Sequence, residues 1–166
     1  MVSPGAAKRI RIKKDGHCQF RAVAVHTQGG QQWWKQVRER AAEWVQTHWL
    51  VVAEDMAQRG VTLRSLLHRL KTDEETVGTD HWGDENTALI IAWAYGRPLR
   101  VHNAEGADVV YLPDAVHEEG EIEVWYNGRN HYEAVRRATN TTQRNASTYT
   151  NANATNTPQN TESSTI

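Results

Sequence analysis

The feature that most limits what this chain can fold into is an abrupt change of composition after residue 138. The 28 residues of 139–166 include nine Thr, six Asn and three Ser, and very few apolar side chains. Such a segment cannot bury enough apolar surface to offset the entropy lost when it is ordered. We therefore expect a disordered tail at 139–166, a flexible N-terminus at 1–7, and one domain at 8–138, long enough to hold its own core.

Composition also excludes several classes of protein. The chain of 166 residues has a net charge of −1 and a single cysteine. One thiol forms no intrachain disulfide and cannot supply the two to four thiolates of a typical structural zinc site. No apolar run approaches the ~20 residues that span a bilayer, and the N-terminus lacks the apolar stretch of a signal peptide. We expect a cytoplasmic or nuclear protein that is not secreted, contacts no membrane and uses no metal or cofactor.

Hydrophobic patterning divides the domain into a helical first part and a strand-rich second part. Apolar runs and helical spacing predict helices over 20–27, 31–58, 62–70 and 85–95. Alternation with a period of two predicts strands over 8–14, 99–102, 108–112, 121–126 and 131–135. Asn127–Gly128 is typical of the turn between the last two strands. Helices that precede strands indicate an α+β fold, with a small mixed or antiparallel sheet packed between helices.

The lone cysteine, Cys18, stands in a setting that suits a nucleophile. A turn signal, Asp15–Gly16, comes shortly before it, and a predicted helix follows. At a helix N-terminus, the unpaired N–H groups and the positive end of the macrodipole favour the thiolate over the thiol. The same N–H groups can bind the oxyanion that forms when the sulfur attacks a carbonyl. The alternative for an isolated cysteine is a small, buried structural thiol.

A cysteine nucleophile needs a base, and His131 is the best placed of the eight histidines. It follows the Asn127–Gly128 turn and begins a predicted strand. Glu133 lies two residues later, and residues i and i+2 of a strand share a face. Glu133 can therefore orient the imidazole as the third member of a triad. The alternative is a histidine at a strand edge beside an exposed glutamate.

Three blocks of sequence resemble the OTU (ovarian tumour) family of cysteine proteases. Residues 15–22 read Asp-Gly-His-Cys-Gln-Phe-Arg-Ala, which is similar to the family's nucleophile motif, Asp-Gly-Asn-Cys-Leu-Phe-Arg-Ala. The segment that begins at His81 and contains Trp82 and Gly83 looks like the family's central Trp-Gly block. Residues 130–135 look like the terminal block that carries the catalytic histidine. The blocks occur in the family's order and cover about residues 10–137.

The resemblance implies a role for each matching residue. Cys18 would be the nucleophile, and His131 would be the general base that later protonates the leaving amine. Asp15 would shape the loop that carries the oxyanion-binding amides. Those amides would be the backbone N–H groups of Gly16, His17 and Cys18.

Three positions depart from the family's pattern. Glu133 stands where the family usually has Asp or Asn, and its carboxylate is one methylene further from the backbone. The third role could therefore be weak, or be filled by another group such as Asp15. His17 replaces the usual Asn and Gln19 the usual Leu, positions that affect loop shape and the substrate channel.

OTU enzymes are mostly deubiquitinases, so the resemblance implies a thiol-dependent ubiquitin hydrolase. It would cleave the isopeptide bond after the ubiquitin C-terminal glycine through a thioester, with ubiquitin or ubiquitinated proteins as partners. One alternative is a catalytically inactive ubiquitin-binding module, which Glu133 favours. Another is a protease for a ubiquitin-like modifier or a viral polyprotein. Nucleic-acid binding through the basic run 8–14 with Arg136 and Arg137 is disfavoured by the near-zero net charge.

Two groups of side chains are candidates for holding ubiquitin. The ubiquitin tail carries arginines before its Gly-Gly end, and acidic residues such as Glu118 and Glu119 could meet them. Trp33 and Trp34 are adjacent and cannot both face a core, so we expect one of them to be available to a protein partner. Trp82 is expected to support the site from its place in the central block.

Overall fold

Four helices precede most of the sheet in this computed structural model, which describes residues 6–115 and 119–138. In chain order its elements are β1 (Ala7–Ile10), α1 (Cys18–Thr27), α2 (Trp34–Gln58), α3 (Leu63–Leu70), α4 (Glu85–Tyr95), β2 (Leu99–Asn103), β3 (Val109–Tyr111), β4 (Ile122–Tyr126) and β5 (Tyr132–Arg137). Short 3₁₀ turns at Gln31–Trp33 and Thr79–His81 precede α2 and α4. The predicted α+β class is confirmed. The predicted tail and residues 1–5 lie outside the described residues, so the expectations for them stay predictions.

The helices follow the predicted pattern, with clear local reasons for where they begin and end. Thr62 caps α3, and Asp84 caps α4 by accepting from two backbone N–H groups at 2.9 Å. Gly96 ends α4 in the left-handed conformation. The predicted long helix has a kink at His48, where side chains bond back to the Trp44 carbonyl and compete with the helical bond. No helix in the described ranges has the length and apolar character needed to cross a membrane.

The first strand is shorter than its alternating sequence predicts, because a side chain captures the backbone beyond it. β1 ends at Ile10, whereas the pattern continues to residue 14. The side-chain amide of Gln31 donates to the carbonyl of Arg11, and its oxygen accepts from the N–H of Lys13. Ile12 between them is buried. The segment 11–14 therefore leaves the sheet on a defined path towards Cys18.

The five strands form one sheet in the order β1-β5-β4-β2-β3, and every neighbouring pair is antiparallel except β2 with β4. The register places apolar side chains together on one face: Ile10, Leu99, Val101, Ile122, Val124 and Ala134. Helix α1 packs against β4 and β5, and α4 packs against β2 and β3. In the described residues, the opposite face carries the charged side chains of Arg9 and Glu133 together with Trp125 and Val135.

Candidate active site

The N-terminus of α1 meets the start of β5, and this junction brings Cys18 to His131. Cys18 is the first residue of α1, and its Sγ lies 4.0 Å from the carbonyl oxygen of Asn130. The backbone N–H of Tyr132 interacts with the same thiol. Those two backbone groups flank His131, which is itself buried. The fold thus makes neighbours of the two residues that the sequence assigned to nucleophile and base.

The loop that carries His131 is held by the side chain of Asn127. Its Oδ1 accepts from the N–H groups of Arg129, Asn130 and His131 at 2.8, 2.8 and 3.0 Å. Gly128 takes a positive φ of 84°, which favours glycine. The sequence identified Asn127 only as a turn residue. Its preference for bonding to the backbone that follows it was the signal for this positioning role.

Glu133 lies beside His131, as the i, i+2 spacing predicts. Its Oε2 is 3.8 Å from Nε2 of His131, and its Oε1 is 3.7 Å from Nε of Arg9. A separation of 3.8 Å exceeds a hydrogen bond, and Nε2 makes none within the described residues. Glu133 therefore acts on the imidazole through its charge. The guanidinium of Arg9, which shares this carboxylate, lies 3.9 Å from the centre of the Trp125 ring.

Burial favours the neutral forms of the Cys18 thiol and the His131 imidazole. Burial raises the pKa of the Cys18 thiol, and backbone bonds, including one from Tyr132, only partly counter it. Burial lowers the pKa of His131, while the charge of Glu133 raises it and the charge of Lys14 lowers it further. The helix N-terminus was expected to favour the thiolate, but desolvation of the thiol outweighs that effect. An attack by this thiol would therefore require the imidazole to accept the proton as the sulfur attacks.

Asp15 holds the loop before Cys18 and does not touch the imidazole. Its carboxylate receives two bonds of 3.1 Å from Nε of Arg21, one of 2.6 Å from Nη2, and one of 3.1 Å from the N–H of His17. Burial raises the pKa of Asp15, but these bonds outweigh it and lower the pKa overall. Arg21 also donates to the carbonyl of Gln31. These contacts fit the loop-shaping role that the resemblance implies, and they leave the orienting role to Glu133.

The hydrogen bond from the His17 N–H to Asp15 lowers the number of amides that could bind the oxyanion. The N–H of His17 already donates to Asp15, so Gly16 and Cys18 remain as candidates. Gly16 has a φ of +91°, and a Cβ there would lie 2.5 Å from the carbonyl oxygen of Val77. Only glycine fits this position, because both the backbone conformation and the close approach exclude a side chain.

His17 supports the loop with its ring, whose hydrogen-bonding groups face the protein interior. Its Nε2 donates to the carbonyl of Glu74 at 2.8 Å, and its Nδ1 accepts from Nε of Arg38 at 3.0 Å. The ring stacks on Trp34 with 3.5 Å between centroids. Burial is the main cause that lowers the pKa of His17 to about 4. The ring is therefore neutral near pH 7, which is the state that can accept a bond from a guanidinium.

Arg38 holds the nucleophile loop through His17 and Gly16, although the sequence did not indicate it as a site residue. It is 1% exposed, and its guanidinium donates to backbone carbonyls of four residues as well as to the ring of His17. Those carbonyls belong to Gly16, Arg69, Leu70 and His81. Burial lowers the pKa of Arg38 to about 9, so it stays a cation at neutral pH. A charged residue four positions after Trp34 on the apolar stripe of a predicted helix was the available signal.

The central Trp-Gly block is fastened to α1 by Gln19. The Oε1 of Gln19 accepts from the hydroxyl of Thr87 at 2.6 Å, and its Nε2 donates to the carbonyl of Asp84 at 2.9 Å. A Cβ on Gly83 would meet the Gln19 side chain, so the block packs closely here. Trp82 places its Nε1 against Gly16. Trp82 is thus beside the nucleophile loop, where it was expected to give support.

The fold of this chain is similar to that of solved OTU structures. No protein-family model and no curated protein matches the sequence. Among solved structures, the OTU domain protease of Qalyub virus has a TM-score of 0.63 at 16% identity, over 81% of this chain and 91% of that chain. The Hazara virus OTU domain bound to ubiquitin has 0.62 at 16%, over 80% and 82%. An OTU deubiquitinase from Wolbachia pipientis wMel has 0.52 at 14%, over 79% and 88%.

The chain has the OTU fold. The structural matches agree with the resemblance carried by its three sequence blocks, and they cover most of this chain and most of each matched chain. In this fold, Cys18 is the first residue of α1, which packs against β4 and β5. His131 directly precedes β5, the strand next to the edge strand β1.

The chain presents one of the two adjacent tryptophans to solvent, as expected. Trp33 is 45% exposed, whereas Trp34 packs on His17. Trp33 therefore stays a candidate for contact with a partner, and Trp34 supports the nucleophile loop.

Of the two acidic candidates, Glu118 and Glu119, the structure describes Glu119. Glu118 is outside the described residues. Glu119 is 3.9 Å from Arg97, which also approaches the carbonyl of His26 near the last turn of α1. Cys18 is at the first turn of the same helix, about 12 Å from His26 along the helix axis. The structure therefore does not bring Glu119 to the nucleophile.

One cluster in the described part of the chain could hold a metal ion, although the sequence predicted none. His68 and His81 place their Nε2 atoms 3.0 and 3.5 Å from the same oxygen of Asp80. The cluster joins α3 to the 3₁₀ turn before Trp82, and neither Cys18 nor His131 belongs to it. The chemistry of Cys18 and His131 makes no use of it.

Acidification is expected to destabilise the folded chain through His17. The pKa of this ring is about 4 in the folded chain and 6.5 ordinarily. Between these values the unfolded chain binds a proton that the folded chain does not, so the free energy of unfolding falls as pH decreases. From pH 7 to pH 4.5 the expected loss from this ring is roughly 2–3 kcal/mol, measured by urea denaturation.

The matched control is His17→Asn, which has no titrating ring. It should lose clearly less stability than the wild type between the two pH values. An equal loss in both proteins would show that His17 is not the group responsible.

Alkylation of Cys18 by iodoacetamide should show a thiol with a raised pKa. Because only the thiolate reacts, we expect the rate to rise through alkaline pH, with a midpoint above that of a free cysteine peptide measured beside it. Mass spectrometry gives the rate. A rate that is already constant below neutral pH would instead reveal a resting thiolate–imidazolium pair.

Replacement of the carboxylate by an amide in Glu133→Gln should lower the pKa of His131 further. The negative charge of Glu133 is the main influence that raises this pKa against burial. An NMR pH titration of the imidazole measures it, with the signal assigned by its loss in His131→Asn. An unchanged pKa would contradict a role of Glu133 through charge.

Proposed function

We propose that this chain is a cysteine-type deubiquitinase that hydrolyses the isopeptide bond after the C-terminal glycine of ubiquitin. The observation that carries the proposal is the junction of α1 with β5, where Cys18 lies against the backbone on both sides of His131. Solved structures with this fold include viral OTU proteases, OTU domains in complex with ubiquitin, and an OTU deubiquitinase. These likenesses support both the reaction and the partner.

The geometry supports acylation by a concerted proton transfer. Sγ of Cys18 attacks the carbonyl carbon of the terminal glycine while the imidazole of His131 accepts the thiol proton. The N–H groups of Gly16 and Cys18 are the candidates for binding the resulting oxyanion. When the tetrahedral intermediate collapses, the C–N bond breaks and His131 returns the proton to the leaving amine. A thioester to Cys18 and a free amine result.

Hydrolysis of the thioester uses the same residues. His131, neutral again, takes a proton from water, and the hydroxide attacks the thioester carbonyl. The C–S bond breaks, the sulfur of Cys18 recovers the proton, and ubiquitin leaves with a free carboxylate. During each attack the imidazole becomes a cation, and the nearby charge of Glu133 stabilises that cation even without a hydrogen bond.

A second candidate function is a ubiquitin-binding module without catalysis. The observation that favours it is the 3.8 Å separation between Glu133 and Nε2 of His131, which leaves the imidazole without the hydrogen bond that fixes its tautomer in a triad.

A ubiquitin carrying a C-terminal thiol-reactive group separates these candidates. We expect a covalent adduct with the wild type and none with Cys18→Ala, because Cys18 is the chain's single cysteine. His131→Ala should react much more slowly, since it retains the thiol but lacks the base. Mass spectrometry of the intact protein detects the adduct.

Two results would contradict the proposed function, and each has a different meaning. Non-covalent binding of ubiquitin without an adduct would support the inactive module. An adduct only with a probe made from a ubiquitin-like modifier would contradict the choice of ubiquitin but keep the chemistry.

A further inference from the structure

An open cleft of about 700 Å³ lies beside His131, next to the polar face of the sheet. The segment 11–14 forms one wall of the cleft, and Trp125, Asn127 and Glu133 contribute to the other. Because His131 lines the cleft, a group bound there can approach the imidazole directly. Cys18 is not among its lining residues.

The cleft is strongly cationic. Arg11, Lys13 and Lys14 are exposed in it, and none of them forms an ion pair with a carboxylate in the described part of the chain. The one carboxylate that lines it, Glu133, already lies between Arg9 and His131. The balance of fixed charge therefore favours an anionic occupant.

These cations stand on a backbone held in place, which distinguishes them from a mobile basic run. Gln31 bonds to the carbonyl of Arg11 at 3.1 Å and to the N–H of Lys13 at 3.0 Å. Ile12 between them is 2% exposed, so it anchors the segment in the core. The carbonyl of Gln31 in turn accepts from Arg21, the partner of Asp15. The cleft wall and the nucleophile loop are therefore connected through two side chains.

The charge of the cleft argues against the ubiquitin tail as its occupant. That tail carries arginines before its Gly-Gly end, and cations in the cleft would repel them. The other half of the substrate is the polypeptide whose lysine is modified. Its amine must come within reach of His131 to be protonated, so this polypeptide has to pass close to the cleft.

We propose that this cleft binds the leaving-group polypeptide and selects acidic residues around the modified lysine. The inference rests on the proposed function and names the substrate class for the same site. A nucleic acid is a poorer fit, because it uses aromatic stacking as well as charge. The Trp125 ring, the aromatic group that lines the cleft, already has the Arg9 guanidinium against it at 3.9 Å.

Three substrates test the selection. In two of them, ubiquitin is joined through an isopeptide bond to the lysine of a fluorescent peptide, flanked by acidic residues in one and by basic residues in the other. In the third, ubiquitin carries a small fluorophore with no flanking residues. We expect kcat/KM to be ~10-fold higher for the acidic than for the basic peptide at low salt, and the ratio to shrink at high salt.

The variant Arg11→Glu/Lys13→Glu reverses two charges of the cleft without touching the reacting groups. It should abolish or invert the preference, and hydrolysis of the ubiquitin–fluorophore, which has no flanking residues, measures separately any effect of the two new charges on His131. Lys14 is kept, because its charge acts on the pKa of His131. The matched control is Arg64→Glu/Lys71→Glu, which makes the same change of net charge at exposed positions on and after α3 and should keep the preference. Circular dichroism checks that both variants fold.

The failures of the two proposals are distinguishable. Hydrolysis of the ubiquitin–fluorophore with equal rates for both peptides would overturn the cleft proposal and leave the proposed function intact. If the fluorophore is not released, the proposed function fails. Fluorescence anisotropy with the free peptides then tests whether the cleft binds an acidic polypeptide. Binding of the acidic peptide that the cleft variant loses would support an acidic polypeptide. Equal binding of both peptides, or tighter binding of a single-stranded oligonucleotide of equal charge, would overturn it.

Discussion

The buried guanidinium of Arg38 is the interaction on which the rest of the site depends. Removing a cation from water costs several kcal/mol unless its donors are satisfied. Here the acceptors are the ring of His17 and backbone carbonyls of Gly16, Arg69, Leu70 and His81. They belong to the nucleophile loop, the end of α3 and the 3₁₀ turn before the Trp-Gly block. One side chain from α2 thus holds together three segments that share no regular hydrogen-bonded structure. Its positive charge adds to the burial of His17, which is the main cause that keeps this ring neutral.

The ion pair of Asp15 with Arg21 extends that rigidity towards the cleft beside His131. Asp15 and Arg21 fix the loop before the nucleophile, and Gln31 connects Arg21 with the segment 11–14. The end of β1, the cleft wall and the nucleophile loop are therefore one continuous hydrogen-bonded unit. A substrate contact on the wall acts on a surface already ordered, so binding there costs little conformational entropy.

In the proposed mechanism, the burial of Cys18 and His131 delays charge separation until substrate arrives. Desolvation raises the pKa of Cys18 and lowers that of His131, so thiol and imidazole rest in their neutral forms. The longer side chain of Glu133 supplies charge without a hydrogen bond, and Arg9 shares the carboxylate. A glutamate in the place of the residue that orients His131 therefore leaves the imidazole without an orienting hydrogen bond. Its charge still favours the imidazolium form.

By itself, the sequence determined the order of helices and strands and the identity of the nucleophile and base candidates, because hydrophobic periodicity and turn residues act over short ranges. It also indicated that one of two adjacent tryptophans would be exposed. Only the tertiary structure decided that β1 stops at Ile10, that the His17 amide is occupied, and that Glu119 lies at the wrong end of α1 for Cys18. Arg38 shows the reason most clearly: its partners are backbone carbonyls, which every residue has, so no residue type in the sequence marks where they meet.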